Sequence, residues 1–363
     1  MTLSKLQLRS GERDLDIHGT LQEGGQNDLT VTGQLPLTLL ARFLPVIQPT
    51  AGIATANVRL RGTSSAPEIQ GKLEIQQGGL RLPGVPTEFH DVRAVLEHQG
   101  NRTQVRGWEA RLAGGNFRGS AEIGRADGRW DLRLSFQEDD GRAEQLLRGL
   151  YGGKGEVTGA LSLGGSLTSE GEETTDFWRN LNGDLKLVMR DGRIGRYTVM
   201  AKIFALLNMT QLLESKGPEL AAEGMPYQQL TADIKIAQGI ARTENLILDS
   251  RAMKANAVGT VDLDKQTVDM TVAVKPFQNV DRILTIIPLA GWLLTGKEKS
   301  ILVAYYQVTG SLKDPQVTAV PMKSIGRNVF GIFRNLLEIP EALTGPYEDL
   351  PPQSVRPEEG ERR

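Results

Sequence analysis

Apolar side chains at every second position, interrupted every six to ten residues by glycine, asparagine or aspartate, leave this chain few architectures. Trp130, Leu132, Leu134 and Phe136 alternate with Asp131, Arg133 and Ser135, and Val268, Met270, Val272 and Val274 alternate with Asp269, Thr271 and Ala273. The pairs Val58 and Leu60, Leu73 and Ile75, Leu161 and Leu163, and Leu185 and Leu187 repeat the pattern, as do Leu230, Ala232, Ile234 and Ile236. Each strand of this kind offers one apolar and one wet face, as in antiparallel sheets covered on a single side. The 41 glycines in 363 residues supply the punctuation. Gly78-Gly79, Gly114-Gly115 and Asp191-Gly192 suit tight reversals. Gly107 falls where the apolar parity switches between Val105 and Trp108, the mark of a bulge.

Helical spacing is confined to a few stretches: Pro36–Gln48, Arg142–Leu150, Arg193–Ser215, Asn279–Gly296 and Met322–Leu337. Ser166–Glu173 is hydrophilic, with Glu170, Glu172 and Glu173 and no apolar period. The expected division is a repeat β-sheet segment over 1–165, an acidic linker over 166–180 and a β-groove region with amphipathic helices over 181–340. A disordered tail, rich in proline and charge, is expected over 341–363.

Composition excludes several functions. With 42 basic and 44 acidic side chains, no general electrostatic footprint for nucleic acid exists. The absence of cysteine rules out disulfides, thiolate metal sites and cysteine nucleophiles. The longest strongly apolar run, Ile283 to Leu294, contains Pro288 and is shorter than the roughly 20 residues needed to span a bilayer. Gly291 to Lys297 fits the opening of a phosphate-binding loop, but Glu298 stands where a magnesium-binding Ser or Thr belongs and would repel phosphate. His18, His90 and His98 are dispersed, and the acidic runs Glu138–Asp140 and Glu170–Glu173 lack calcium-loop spacing and read as solvated turns. No catalytic constellation, cofactor motif or metal site is expected.

Degenerate repeats point further. Gly62 to Gly84 follows G-x4-P-x-ϕ-x-G-x-L-x-ϕ and closes on Gly79-Leu-Arg-Leu-Pro-Gly84; Leu112–Gly119 and Gly128–Leu132 add to it. Leu181–Leu187, Asp191–Gly195, Gly239–Leu246, Val258–Leu263 and Val308–Pro315 follow in order. In these segments the chain resembles the AsmA-like/TamB superfamily of bacterial envelope proteins. The resemblance implies a long curled β-sheet with an apolar groove, anchored in the inner membrane and reaching across the periplasm. It further implies carriage of phospholipid toward the outer membrane, and in the TamB branch a link to outer-membrane protein assembly. The membrane anchor usual in the family is missing from this chain, so an address on a preceding segment is the expectation.

About twenty strands spaced about 4.8 Å apart extend about 100 Å, and open sheets beyond about ten strands curl, split or flatten. If the sheet curls along its length its apolar faces turn inward, giving the mainly β, taco-like sheet that the resemblance implies, with a few amphipathic capping helices; the alternative is an ordinary β-sandwich core of two interdigitating apolar layers. The expected groove lining is Val58, Leu60, Leu73, Ile75, Trp130, Leu132, Leu134, Leu161, Leu163, Leu185, Leu187, Ile234, Ile236, Val268, Met270 and Val272. Acyl chains suit such a surface, because each buried CH₂ gains roughly 0.8 kcal/mol without needing a hydrogen-bond partner. Arg193–Lys216 and Met322–Leu337 each carry a net charge of +3, suiting an anionic membrane surface or the capping of sheet ends. Ile325, Arg327, Val329, Phe330, Phe333, Arg334, Leu336 and Leu337 are the expected membrane-contacting set. Expected partners are phospholipid, a membrane surface and other envelope proteins. The alternative is an assembly factor whose exposed strand edges pair with client β-barrel proteins.

Overall fold

The computed structural model describes residues 2–10, 13–22, 25–42, 48–63, 66–82, 85, 87–147, 157–173, 176–195, 202, 224–251, 253–276 and 303–337. Among these residues seventeen strands follow one another: β1 (Thr2–Ser10), β2 (Arg13–Thr20), β3 (Asn27–Pro36), β4 (Gln48–Thr63), β5 (Ala66–Arg81), β6 (Phe89–Gln99), β7 (Arg102–Leu112), β8 (Gly115–Ala126) and β9 (Arg129–Arg142). The series continues with β10 (Ala160–Gly171), β11 (Asn182–Ile194), β12 (Met225–Ala237), β13 (Ile240–Asp249), β14 (Met253–Asp262), β15 (Thr267–Pro276), β16 (Ala304–Ser311) and β17 (Gln316–Ala319). Each pairs antiparallel with the next, giving one up-and-down sheet that does not close into a barrel. Strand accounts for 73% of the described structure.

Two-residue hairpins explain how so many strands stay in register. Asp127-Gly128 and Gln238-Gly239 both hold positive φ, the requirement of a type I′ turn whose twist matches its strands. Ala113-Gly114 does the same, one residue before the Gly114-Gly115 pair that the sequence singles out, and Gly115 opens β8. Gly107 lies in a register break between Val105 and Trp108, as its parity switch indicates. Gly78-Gly79 and Asp191-Gly192 are not reversals. They lie within β5 and β11, where Gly78 marks a register shift and Asp191 takes a positive φ. A glycine that starts a bulge and one that closes a turn look alike in sequence, since both answer the same φ requirement. Bulges add local twist, and a sheet of this length coils under it.

The strand ends form two rims of different character. Connections at one rim are mostly tight turns, such as 99–102, 126–129, 237–240 and 262–267. At the other rim most connections are longer. They include a 3₁₀ turn (Leu37–Arg42), a segment over 142–160 opening with helix α1 (Ala143–Leu147), and the connections 194–225 and 276–304. The helices expected over Arg193–Ser215 and Asn279–Gly296 fall largely on 196–223 and 277–302, outside the described residues apart from Lys202, as does the tail over 341–363. Ser166–Gly171 continues β10 and is paired on both sides as far as Thr168, so the sheet runs through the hydrophilic stretch. Helix α2 (Asp176–Arg179) follows at the turn rim.

The last helix, α3 (Arg327–Leu336), packs on the wet side of β14, β15 and β16. Ile325, Phe330, Phe333 and Leu337 are buried there against Val258, Ala273 and Tyr305, with the Tyr305 and Phe333 ring centroids 5.9 Å apart. Lys275 Nζ donates to the carbonyl of Leu337 at 2.9 Å, placing a cation at the negative end of the helix. Val329, Arg334 and Leu336 are half-buried and Arg327 is exposed. Membrane contact through the four buried side chains would therefore require the helix to leave the sheet.

Candidate functional site: a continuous apolar face

The registers assemble the alternating residues into one surface. Reading directly opposed positions from strand to strand gives an unbroken row: Leu8, Leu15, Gly33, Ala56, Leu73, Leu96, Val105, Ala121, Leu134, Leu167, Gly183, Ile236, Ala241, Val261, Val268 and Gly310. Every member is apolar or glycine across sixteen strands. At about 4.8 Å per strand the row is about 70 Å long. A one-residue slip anywhere would transfer the next strand's apolar set to the wet face, so burial enforces the register throughout.

All sixteen residues expected to line a groove share this face. Val58 opposes Val31 and Gly71, and Leu132 opposes Ile123 and Ser169. Leu187 opposes Leu163 and Ala232, and Met270 opposes Gly259 and Val308. Ile75, Leu161, Ile236, Val268 and Val272 are buried; Val58, Leu60, Leu73, Trp130, Leu132, Leu134, Leu163, Leu185, Leu187, Ile234 and Met270 are half-buried.

Burial is graded across the face. Among the most deeply buried are Leu37, Ala54, Ala143, Leu161, Met189, Leu248, Met253, Val274 and Ala304, which lie near the rim with the long connections. Toward the rim of tight turns the same face opens over β5 and β8, where Ile69 and Ile123 are each 36% exposed, while over β12 and β15 Ile236 and Val268 stay buried beside that rim; at mid-strand in β1, Leu6 is 43% exposed. Contiguous apolar surface reaching solvent is uncommon on a soluble protein and marks a place for a ligand or partner. The reverse face is polar along most of its length, with ion pairs such as Arg59–Asp28 at 2.7 Å, Arg118–Asp139 at 2.9 Å and Arg133–Glu122 at 3.4 Å. These exposed pairs add little stability but keep that side wet.

Two features on the apolar face escape the sequence reading. The first is an aromatic cluster of Phe89, Trp108, Phe117 and Phe136, with the Trp108 and Phe117 centroids 4.8 Å apart. The second is Glu138. The run Glu138–Asp140 belongs to β9 rather than a solvated turn, and Glu138 is 1% exposed with neither carboxylate oxygen partnered among the described residues. Burial pushes its carboxyl up to about 7, the neighbouring Asp139 adds to the rise, Arg111 opposes it and Asp140 adds again. The signal was present: Glu138 continues the even-numbered series Trp130, Leu132, Leu134, Phe136.

Among the described residues no three acidic or histidine side chains converge as a metal site, and no helix is long and apolar enough to cross a membrane. A protein-family model described as YhdP protein matches residues 143–317, just under half of the chain, from α1 into β17. That family is related to the AsmA-like envelope proteins. No curated protein and no solved structure matches the chain.

Proposed function

We propose that this chain binds phospholipid acyl chains along its apolar face and conducts them between inner and outer membranes, without covalent chemistry. The observation that carries the reading is the sixteen-strand apolar row on an open sheet whose turn-side rim reaches solvent. An acyl chain covers such a row at roughly 0.8 kcal/mol per CH₂, and headgroups are left in water at the open rim. Because successive rows are chemically alike, a chain can slide along the trough with no bond to break at each strand. The match of residues 143–317 to the YhdP family supports a cell-envelope setting, with the periplasm as the proposed location and outer-membrane integrity as the proposed outcome. Native mass spectrometry of the purified chain tests the reading: bound phospholipid is expected, and lipid-free protein recovered from lipid-replete cells would overturn it.

A second reading draws on the open ends. Among the described residues β1 and β17 each pair on one side only, and their edges would offer backbone donors and acceptors to a client strand. Photo-reactive residues at Leu132 and at Leu6 separate the two readings, since the first captures lipid in one case and the second captures protein in the other.

A further inference from the structure

We propose that Glu138 governs passage of acyl chains between the two halves of the trough: neutral, it leaves the apolar face continuous, and ionised, it interrupts it. The proposal rests on the lipid-trough reading and adds a control point to it. Glu138 is placed where the two apolar clusters of this face meet. Its cross-strand neighbours are Phe117 on β8, a member of one cluster, and Leu163 on β10, which packs on the other. Leu146 of α1 packs against both.

The surroundings are shaped to hold a carboxyl and to leave it without a hydrogen-bond partner. A Cβ at Gly141 would fall 2.7 Å from Glu138 Oε1, and one at Gly115 would come closer still, so both glycines make room for the acid. The charged groups around it are engaged elsewhere. Asp139 pairs with Arg118 at 2.9 Å, and Arg111 on β7 donates to Asn116 Oδ1 at 2.9 Å and to the Gly114 carbonyl at 3.1 Å. Glu144 on α1 accepts from the Gly159 N–H at 3.3 Å, Asp140 adds like charge, and Arg142 is exposed. Between Ala160 and Thr168, β10 brings no ionisable side chain. Among the described residues only Arg111 offsets the charge of an ionised Glu138, and it does so in part and without a hydrogen bond, so ionisation must draw water onto the apolar face.

With the carboxyl titrating at about 7, its neutral share is about 90% at pH 6 and about 3% at pH 8.5, a change of about 30-fold. The test loads the full chain from vesicles of phosphatidylcholine bearing a diazirine on the acyl chain and maps the photo-adducts by mass spectrometry. Adducts at Ala121, Leu134 and Leu163 should fall about 30-fold between pH 6 and pH 8.5, while adducts at Val58 and Val268 change less than about two-fold. Glu138→Gln should make the junction adducts independent of pH. Junction adducts equal at both pH values, with labelling elsewhere intact, would overturn the control point and leave the trough standing. Absence of adducts from the whole apolar face would overturn both. Should Glu138→Gln fail to fold, carbon-13 NMR of the wild-type carboxyl decides: no titration between pH 6 and pH 8.5 overturns the proposal.

Discussion

At the residue scale, burial of a lone acid makes stability depend on pH in an unusual direction. An acid whose folded-state value is raised binds its proton more tightly when folded, so between the ordinary glutamate range and about 7 the unfolded chain carries fewer protons. Stability contributed by this site is therefore full at low pH and falls as pH rises through that window, reaching a constant penalty above it. The shift corresponds to about 3 kcal/mol. Glu138→Gln should raise the urea midpoint at pH 8, by an amount equivalent to at most about 3 kcal/mol, and should leave it nearly unchanged at pH 4. A midpoint gain that is the same at both pH values would show that the carboxyl is solvated in the folded chain. Phase along the strand was enough to place Glu138 inward, since it lies two residues beyond Phe136. Its charge argued for a surface, and periodicity outweighs residue type once neighbouring strands fix the register.

At the scale of elements, the strands were legible because each hairpin is a local event with its own φ demands and its own alternation. The reverse face turns apolar in β14 to β16, where the alternating series Val268, Met270, Val272, Val274 ends on Val272-Ala-Val274 and β16 opens on Ala304-Tyr-Tyr306. These strands are covered on both faces, by the apolar cluster within and by α3 without. That doubled apolar pattern is the sequence trace of the helix's docking site, whereas the helix alone shows an apolar stripe with no address. Phe333 is fully buried at the centre of this contact. Phe333→Ala should cost about 3–5 kcal/mol. Because the contact is confined to one end of a long meander, the loss should appear in hydrogen exchange as weakened protection of β14, β15 and β16, with β3 to β8 unchanged. Uniform loss across all strands would mean that the sheet unfolds as a single unit.

For the molecule as a whole, the decisive property is that one face stays apolar from β1 to β16 although no single strand specifies it. The sequence supplied the parity of each strand; the registers supplied the alignment, which residue order cannot give because a bulge such as that at Gly107 shifts every strand beyond it by one position unless a second bulge compensates. Ladders between β5 and β6 and between β6 and β7 carry such breaks, and the row nevertheless passes through Leu73, Leu96 and Val105 without a polar member. A trough of this kind is sensitive to charge anywhere along it and indifferent to charge on its reverse side. Leu132→Asp and Leu187→Asp introduce an acid on the apolar face at separate strands, whereas Ser135→Asp adds the same charge on the exposed reverse face of β9. Both leucine variants should retain β-sheet circular dichroism, since these positions are only half-buried, and should lose phospholipid measured by native mass spectrometry by about ten-fold or more. Ser135→Asp should keep the wild-type lipid load. Equal lipid in all three variants would place any bound phospholipid away from the apolar face and leave the open strand edges as the functional surface.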